Sequence, residues 1–204
     1  MERVVPPLTT WLVRHGQSAS NAGLPANGNA EVPLTELGVA QSKALAARID
    51  RQPDLLIVSP FARARATGDE ILRRWPATRT ETWPIQELTY LSPARCRGTT
   101  AVTRAPMIED YWRRLDPDYQ DGPDAESFAS FVHRLRSFGE RLSALDGELV
   151  VVVGHGQFFR AFLLGIDTGY GTGSAWMAHY RLNETGNPMA NCETIELGAH
   201  QLSR

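Results

Sequence analysis

The sequence predicts an α/β sandwich in which helices cover both faces of a mostly parallel sheet. Short apolar runs without polar alternation are the first indication, because such runs are typical of strands that are buried on both faces. Amphipathic helical patterns between these runs are the second. The length of 204 residues is the third, since it fits one fairly large domain better than two. We therefore expect residues 1–204 to form a single three-layer α/β/α domain.

Three apolar runs and a weaker fourth are the predicted strands. They are "TTWLV" (9–13), "DLLIVS" (54–59), "ELVVVVG" (148–154) and, less clearly, "NCETIEL" (191–197). "TRTETWPI" (78–85) is a further candidate. Pro84 limits the pairing of that segment, because proline has no backbone N–H to donate to a neighbouring strand.

Four segments with helical periodicity separate the strands: 34–49, 61–75, 125–145 and 157–166. In the first, Thr35 is the expected N-cap, and Leu37, Leu45 and Ile49 fall on one side. The second carries an apolar stripe of Phe61, Ala64, Ile71, Leu72 and Trp75. The third is the longest, with Phe128, Phe131, Val132, Leu135, Phe138 and Leu142 at helical spacing.

Composition and charge favour a cytoplasmic protein. The chain has 21 Lys and Arg against 23 Asp and Glu, so its charge balance gives no argument for nucleic acid or a membrane surface as a partner. Its longest apolar stretches, 149–153 and 158–164, are too short to span a bilayer, and residues 1–12 lack the apolar core of a signal peptide. Cys96 and Cys192 lie in no metal-type or redox-type spacing, so we expect two reduced thiols. Nothing in the sequence indicates an oligomeric state.

Two strands end in a histidine next to glycine. "LVRHGQSASN" (12–21) carries Arg14 and His15 past the end of the first strand, and "VVGHG" places His155 at the end of the strongest one. Ligands of open α/β sheets bind beyond the carboxyl ends of the strands. Glycine at these positions allows a sharp turn and a close approach of the ligand. We therefore expect the two histidines to converge on one crevice.

A third strand runs into the helix that carries Arg63 and Arg65. Arg63 comes early enough in this helix to reach the same crevice, whereas Arg65 is expected on the solvent face. Arginine forks match pairs of phosphate oxygens and keep their charge. Two arginines and two histidines therefore predict a site for a dianionic phosphoryl group. A zinc site is disfavoured, because the chain lacks the close histidine or cysteine pairs such sites often have. The remaining histidines are expected to have no special role; they are His133, His179 and His200.

These segments, taken in order, resemble the histidine phosphatase superfamily, which is also called phosphoglycerate-mutase-like. "RHGQSASN" is similar to the signature Arg-His-Gly-x-Ser/Thr-x-x-Asn, and "PLTELGVAQ" to the Leu-Thr-x-x-Gly-x-x-Gln segment that follows it. "SPFARARAT" resembles Ser-Pro-Leu-x-Arg-Ala-x-x-Thr, "PIQEL" the stretch of the proton donor, "DAESF" the Gly-Glu-Ser helix start and "VGHGQFFR" the second histidine block. The matched site residues are Arg14, His15, Ser18, Asn21, Arg63, Glu87 and His155.

The resemblance implies a phosphoglycerate-mutase-like fold and phosphoryl transfer through a phosphohistidine. Neutral His15 would attack phosphorus, while Arg14, Arg63 and His155 hold the phosphate oxygens. Glu87 would protonate the leaving oxygen and then activate water. No metal or other cofactor is implied, because the arginines supply the positive charge. Two residues have open roles, either donating neutral hydrogen bonds to phosphate or shaping a turn: Ser18 and Asn21. Two others, Glu126 and Ser127, are expected only to start a helix.

The chain departs from the family pattern after Glu87 and after His155. In place of a Gly-x-Trp-Glu-Gly stretch it has a divergent segment, 88–123, which we expect to cap the substrate; Gln157 stands where a small residue is common. Four residues of the segment have two open roles, either selecting the substrate or only packing and facing solvent: Tyr90, Arg97, Arg104 and Trp112. Glu109 is the first alternative to Glu87 as the acid.

The predicted function is hydrolysis of a small phosphorylated metabolite. Two alternatives remain open at this point. One is a mutase, which returns the phosphoryl group to substrate instead of to water. The other is a phosphate-recognising module without turnover, which the presence of both His15 and Glu87 disfavours.

Overall fold

A sheet of five strands lies at the centre of the computed structural model, which describes residues 8–25 and 30–202. Residues 1–7, part of the stretch that argued against a signal peptide, lie outside the described residues. The strands are β1 (Thr9–Arg14), β2 (Leu55–Val58), β3 (Arg79–Thr82), β4 (Leu149–Gly154) and β5 (Thr194–Gly198). Their order is β3-β2-β4-β1-β5, and only the β1–β5 pair is antiparallel. The mostly parallel sheet predicted from the sequence is confirmed.

The helices of the described residues flank this sheet. They are α1 (Glu36–Arg48), α2 (Ala62–Arg74), α3 (Pro93–Cys96), α4 (Ala101–Arg114), α5 (Phe128–Ser143), α6 (Gly156–Thr168), α7 (Ser174–Gly186) and α8 (Ala199–Leu202). The four predicted helices correspond to α1, α2, α5 and α6. None of the helices in the described ranges is long and apolar enough to cross a bilayer. Cys96 and Cys192 are both free.

Alternate residues of each central strand point to two separate cores. One face of the sheet packs against α1 and α2, with Val13, Leu56, Val58, Val151 and Val153 among its buried side chains. The other face packs against α5 and α6, with Leu12, Ile57, Val150 and Val152. All six apolar residues predicted for the long helix are buried. Burial on both faces explains why the strands read as unbroken apolar runs.

The prediction for Leu37 is wrong, since this side chain is 54% exposed. The buried stripe of α1 consists of Gly38, Ser42, Leu45 and Ala46. One residue along a helix is a rotation of about 100°, so Leu37 points away from the sheet. Thr35 is the N-cap as predicted, and its side chain accepts a hydrogen bond from the backbone N–H of Gly38.

Strand register brings three polar side chains to one edge of the sheet. Arg14 pairs with Gly154 across the β1–β4 ladder, so the next residues, His15 and His155, leave the sheet side by side. Val58 pairs with Val153 of β4, which places Ser59 at the same edge. The carboxyl ends of β1, β2 and β4 therefore form the floor of the site.

Candidate active site

His15 is held in a defined tautomer. Its ring is buried, with Nδ1 2.7 Å from the carbonyl oxygen of Gly16, and Nε2 accepts a hydrogen bond from Arg63 Nε at 2.9 Å. A carbonyl oxygen can only accept and a guanidinium can only donate. The proton of neutral His15 is therefore on Nδ1, and the lone pair of Nε2 faces Arg63. This is the nitrogen that a nucleophilic histidine needs to present.

His155 lies beside His15, with ring centroids 5.0 Å apart. Nη2 of Arg63 is 3.2 Å from its Nδ1, and Ser59 Oγ is 2.8 Å from its Nε2. Because the guanidinium donates, Nδ1 is the acceptor, and Nε2–H donates to the hydroxyl of Ser59. Ser59 Oγ also accepts from the backbone N–H of Phe61 at 3.3 Å. The ring of His155 is thus held from both sides.

Both histidines are neutral near pH 7. Burial, followed by the positive charge of Arg63, lowers the pKa of His15 well below its ordinary value of 6.5. Burial, Arg63 and then His15 lower the pKa of His155 in the same direction. Removing a charged imidazolium from water is costly, and an adjacent guanidinium adds repulsion. The site therefore presents two uncharged imidazoles beside fixed positive charge.

Arg63 connects the groups of the site. It lies in the first turn of α2, its side chain is buried, and besides both histidines it contacts Glu87, with Nη2 3.1 Å from Oε2. Arg65, two residues later, is exposed, as predicted. The backbone N–H of Gly16 donates to Thr67 Oγ1 at 3.0 Å, and that hydroxyl donates to the carbonyl of Arg63 at 2.9 Å. This chain of bonds fixes α2 relative to the loop that carries His15.

Arg14 supplies a second guanidinium from the end of β1. Its Nη1 donates to the carbonyl of Met189. Its Nε is buried, and no acceptor among the described residues contacts it. A buried donor without a protein acceptor is costly, so an oxyanion beside it would be stabilised.

Ser18 and Asn21 close a turn next to His15. The backbone N–H of Ser18 donates to Asn21 Oδ1 at 3.2 Å, and that of Asn21 donates to Ser18 Oγ at 3.3 Å. Nδ2 of Asn191 donates to Asn21 Oδ1 at 3.1 Å and to the carbonyl of His15 at 3.0 Å. The turn role is therefore present. Both side chains also line a cavity next to His15 and Arg63, where the Ser18 hydroxyl and the Asn21 amide can donate.

Two glycines allow the loop after His15 to contact the start of α1. A Cβ on Gly16 would lie 2.4 Å from the carbonyl oxygen of Gly38, and one on Gly38 would lie 2.0 Å from that of Gln17. Backbone groups cannot move aside for such contacts, so glycine is required at both positions. The backbone N–H of Thr35 donates to Gln17 at 2.9 Å across the same contact. The segments "RHG" and "PLTELG" are thus one packed unit.

Glu87 lies on a segment (84–89) that α5 holds in place. Arg134 makes a bidentate pair with Glu126, at 2.8 and 2.7 Å, while its Nη1 donates to two carbonyls of the segment. The backbone N–H of Glu126 donates to a third. These carbonyls belong to Pro84, Gln86 and Thr89. The main chain is therefore fixed on both sides of Glu87.

Two adjoining cavities of about 170 and 290 Å³ open above the strand ends. His15 and Arg63 line the smaller, and Arg14 lines the larger. Residues shared by both are Ser20, Asn21, Glu87, Arg104 and Gln157. The divergent segment contributes one wall of the smaller cavity through Leu88, Tyr90, Leu91, Cys96, Arg104 and Ile108. In residues 8–25 and 30–202, no three His, Cys, Asp or Glu side chains are grouped to hold a metal ion.

The substrate-selecting candidates separate into two groups. Tyr90 and Arg104 line the smaller cavity, whereas Arg97 is exposed and Trp112 packs among buried aromatic rings. Glu109, the alternative acid, is exposed and lines neither cavity.

Gln157, the departure after His155, lies at the junction of the two cavities, and its Nε2 donates to Glu184 at 3.3 Å. Its side chain places an amide where the family pattern has a small residue.

Sequence reasoning missed Ser59 and the pair of Arg134 with Glu126. Ser59 is the first residue of the segment "SPFARARAT" and follows a strand, so the strand-end argument that selected His15 applied equally to it. Ser127 does cap α5, as predicted. Glu126, expected only to start that helix, also binds Arg134, and this partner was not identifiable from local periodicity.

The model of the histidine phosphatase superfamily (branch 1) matches residues 10–186. The chain belongs to this superfamily. Among its relatives is the adenosylcobalamin/alpha-ribazole phosphatase of Salmonella typhimurium, 29% identical over 153 residues, covering 71% of this chain and 72% of the relative. A 2,3-bisphosphoglycerate-dependent phosphoglycerate mutase of Bifidobacterium longum is 28% identical over 190 residues and 76% of each chain. The resemblance found in the sequence is confirmed, and so is the expected enzyme class, a phosphatase.

Solved structures of this superfamily have the same fold. A putative alpha-ribazole-5'-P phosphatase from Escherichia coli superposes with a TM-score of 0.71 at 20% identity, covering 94% of this chain and 90% of that one. A mycobacterial glucosyl-3-phosphoglycerate phosphatase complexed with VO3 gives a TM-score of 0.68 at 24% identity, covering 93% and 90%. The predicted phosphoglycerate-mutase-like sandwich is confirmed.

Proposed function

We propose that this phosphatase hydrolyses a small phosphomonoester through a phosphohistidine formed on His15. The contact between Arg63 and the unprotonated Nε2 of His15, beside a second neutral histidine, carries the proposal. A nucleophile, a proton donor and several cationic or polar donors then surround one phosphate-sized region. The relatives named as phosphatases of alpha-ribazole support a small phosphorylated metabolite as the substrate class.

In the first step, Nε2 of His15 attacks phosphorus and the P–O bond to the leaving group breaks. The Nε–H of Arg63 stops donating to Nε2 of His15 and donates to a phosphate oxygen instead. Its neutral acceptor is thereby replaced by a charged one. Glu87, which must enter this step protonated once the bound phosphate has replaced it as the partner of Arg63, gives its proton to the departing oxygen. The Nδ1–H of His15 keeps donating to the carbonyl oxygen of Gly16, and this hydrogen bond stabilises the positive charge that the ring gains.

In the second step, water attacks the phosphohistidine. Glu87, now a carboxylate, takes a proton from that water as its oxygen bonds to phosphorus. The P–N bond breaks, its electron pair returns to Nε2, and inorganic phosphate leaves. Protonated Glu87 and neutral His15 are regenerated, so the cycle needs no further proton source.

Arg14, Arg63 and His155 hold the oxygens of the transferred group and stabilise charge as it spreads over them. For His155 to donate, its proton must be on Nδ1. Without substrate the proton of His155 is on Nε2, so the ring must change tautomer. Ser59 permits the change, because its hydroxyl accepts from Nε2–H in one tautomer and donates to Nε2 in the other. Ser18 and Asn21 add neutral donors. We further propose that segment 88–123 caps the substrate, which its contribution to the cavity wall supports.

A chromogenic aryl phosphate tests the hydrolase. We expect equal amounts of phenol and phosphate, with no loss of rate in a chelator, because arginines supply the positive charge. Loss of activity in chelator and its return with a divalent ion would contradict this account. Phosphate recovered mainly on substrate, with a requirement for a phosphorylated cofactor, would identify a mutase instead. Phosphate binding without any turnover would identify a binding module.

A further inference from the structure

We propose that Gln41 is a positioning residue for His15 and acts through the peptide group that joins Gly16 and Gln17. This inference rests on the proposed function, in which His15 is the nucleophile. It assigns a role to the last residue of "PLTELGVAQ", a segment that the mechanism above does not use. Gln41 lies on α1 and lines neither of the two cavities at the strand ends, so it would act on the reaction without touching substrate.

Two hydrogen bonds in series connect Gln41 with the ring of His15. The Nδ1–H of His15 donates to the carbonyl oxygen of Gly16, with 2.7 Å between nitrogen and oxygen. That carbonyl shares its peptide group with the N–H of Gln17, which donates to Oε1 of Gln41 at 2.8 Å. A backbone N–H can only donate, so the side-chain amide of Gln41 must present its oxygen. In this relay the peptide group accepts from the imidazole on one side and donates to Gln41 on the other.

The peptide group needs this support because Gly16 does not fix its own conformation. Glycine is required at this position, since a Cβ would lie 2.4 Å from the carbonyl oxygen of Gly38. The same lack of a Cβ leaves the backbone dihedrals of Gly16 with few steric restrictions. Rotation of the peptide plane would turn the carbonyl away from Nδ1 of His15. The hydrogen bond from Gln17 to Gln41 opposes that rotation.

The bond to Gln41 also makes the carbonyl of Gly16 a stronger acceptor. The electrons of a peptide group are delocalised over oxygen, carbon and nitrogen, so an acceptor on the N–H increases the negative charge of the oxygen. Hydrogen bonds in series strengthen one another in this way inside a protein. As Nε2 of His15 bonds to phosphorus, the ring gains positive charge and its Nδ1–H becomes a stronger donor. The relay therefore stabilises the transition state more than the resting enzyme.

Packing keeps Gln41 within reach of the loop after His15. Gly38, about one helical turn earlier, contacts Gln17 so closely that a Cβ on Gly38 would lie 2.0 Å from the carbonyl oxygen of Gln17. Ser42, next to Gln41, donates to the carbonyl of Gly38 at 2.8 Å, and its Oγ lies 3.2 Å from Oγ1 of Thr67. The first turns of α1 therefore hold a fixed position relative to the peptide group that Gln41 contacts.

Two substitutions of Gln41 test the relay by the rate at which His15 is phosphorylated. This rate is measured as phenol release in a single turnover, with enzyme in excess over 4-nitrophenyl phosphate. Gln41→Leu removes the acceptor and should lower the rate by about 5- to 20-fold. Gln41→Glu keeps an acceptor oxygen and should stay within about threefold of the unmodified enzyme. All three side chains have similar helix propensities, so neither substitution should weaken α1.

Two controls separate positioning from a structural role. The inhibition constant of inorganic phosphate should change by less than about twofold in both variants, because bound phosphate places no positive charge on the ring of His15. Lys43→Met changes an exposed residue of the same helix and should leave the phosphorylation rate unchanged. A loss of phosphate affinity in Gln41→Leu as large as its loss of rate would overturn the relay, because Gln41 would then only maintain the shape of the loop.

The Nδ1–H proton of His15 gives a readout that does not depend on turnover. It is observed by NMR in enzyme labelled with ¹⁵N-histidine and is identified by its absence from His15→Ala. In Gln41→Leu its resonance should move upfield and exchange faster with solvent, because its acceptor is weaker. Gln41→Glu and Lys43→Met should keep the resonance of the unmodified enzyme.

Failure of the relay and failure of the proposed function give different results. An unchanged phosphorylation rate in Gln41→Leu, or equal losses in Gln41→Leu and Gln41→Glu, would overturn the relay while the hydrolase holds. If the unmodified enzyme forms no phosphohistidine, the proposed function fails, and the Nδ1–H resonance alone then tests the relay. A resonance that is the same in Gln41→Leu and in the unmodified enzyme would overturn it.

Discussion

At the scale of single residues, the guanidinium of Arg63 is the charge that contacts most groups of the site. Arg63 contacts both histidines and Glu87, and it contributes to lowering the pKa of both imidazoles. The same group that, after burial, does most to lower the pKa of His15 is available to stabilise a phosphoryl group attached to this histidine. Removing it therefore affects the transition state more than the resting enzyme.

Arg63→Ala should lower kcat by roughly 10²- to 10³-fold, the scale for deleting one charge stabiliser of a transition state. Arg65→Ala should stay within about twofold, because Arg65 is on the solvent face and bonds the carbonyl of Pro60. Steady-state kinetics with one aryl phosphate measures both. Equal losses of kcat in the two variants would show that the face of α2 that contacts the phosphate has been assigned incorrectly.

At the scale of the element, α5 positions the segment that carries Glu87. Arg134 donates to two of its carbonyls while pairing with Glu126, and Arg134 lines neither of the two cavities at the strand ends. If they weaken, the main chain at Glu87 gains freedom. In the proposed mechanism, proton donation by Glu87 is then impaired, whereas nucleophilic attack by His15 is not.

Glu87→Gln should slow the hydrolysis of esters with poor leaving groups more than that of esters with good ones, and Arg134→Met should have the same effect in a weaker form. Poor leaving groups need the proton of Glu87, so alkyl phosphates should slow more than aryl phosphates with good leaving groups. We expect a loss of about 10-fold or more for alkyl esters and little change for 4-nitrophenyl phosphate. A plot of log kcat/KM against leaving-group pKa provides the readout.

Arg141→Met is the matched control on the same helix, since Arg141 is half exposed, stacks on Trp83 and pairs with Glu81, and among the described residues it donates to no carbonyl of segment 84–89. It should leave that plot unchanged. A uniform rate loss across all leaving groups in Arg134→Met would indicate general destabilisation instead of a misplaced acid.

Elements with strong periodicity could be predicted from the sequence, and weakly patterned ones could not. The sequence shows the apolar runs of β2 and β4 and the six-residue apolar stripe of α5 clearly. Burial requires apolar side chains at the period of the element, so these patterns can be recognised without a structure. Helix α7 buries only Met177 and Tyr180, so its apolar stripe is too sparse to be recognised in the sequence.

The floor of the site could be predicted, because its residues follow the carboxyl ends of strands that the sequence shows. The bonds of Arg134 could not, because they reach backbone carbonyls about 50 residues away in the chain, and no side-chain pattern encodes such acceptors.

Two uncharged histidines at the carboxyl ends of β1 and β4 affect the stability of the whole molecule. The pKa of each is lowered by burial, followed by Arg63, to well below the ordinary 6.5. Below pH 6.5 the unfolded chain therefore binds protons at His15 and His155 that the native state does not bind. Stability from these groups is fully present above about pH 6.5 and is lost as the pH falls below it.

The free energy of unfolding should fall by about 1.4 kcal/mol per pH unit for each buried histidine once the pH is below their unfolded pKa. His155→Gln should therefore show a smaller slope than the unmodified chain between about pH 6 and pH 4.5. His133→Gln, at an exposed position, should show the unmodified slope. Urea denaturation over this pH range measures the three slopes. Identical slopes would mean that His155 is protonated in the native state.

Trapping of the covalent intermediate tests the account most directly. The enzyme is mixed with a ³²P-labelled phosphomonoester, quenched without acid and digested at alkaline pH. Label should remain on the protein, be labile to acid and stable to base as a phosphoramidate is, and map to His15. It should be absent from His15→Ala, while His155→Ala should turn over slowly and still carry some label. No label in the unmodified enzyme while phosphate still binds, or label on a hydroxyl residue, would contradict the phosphohistidine mechanism.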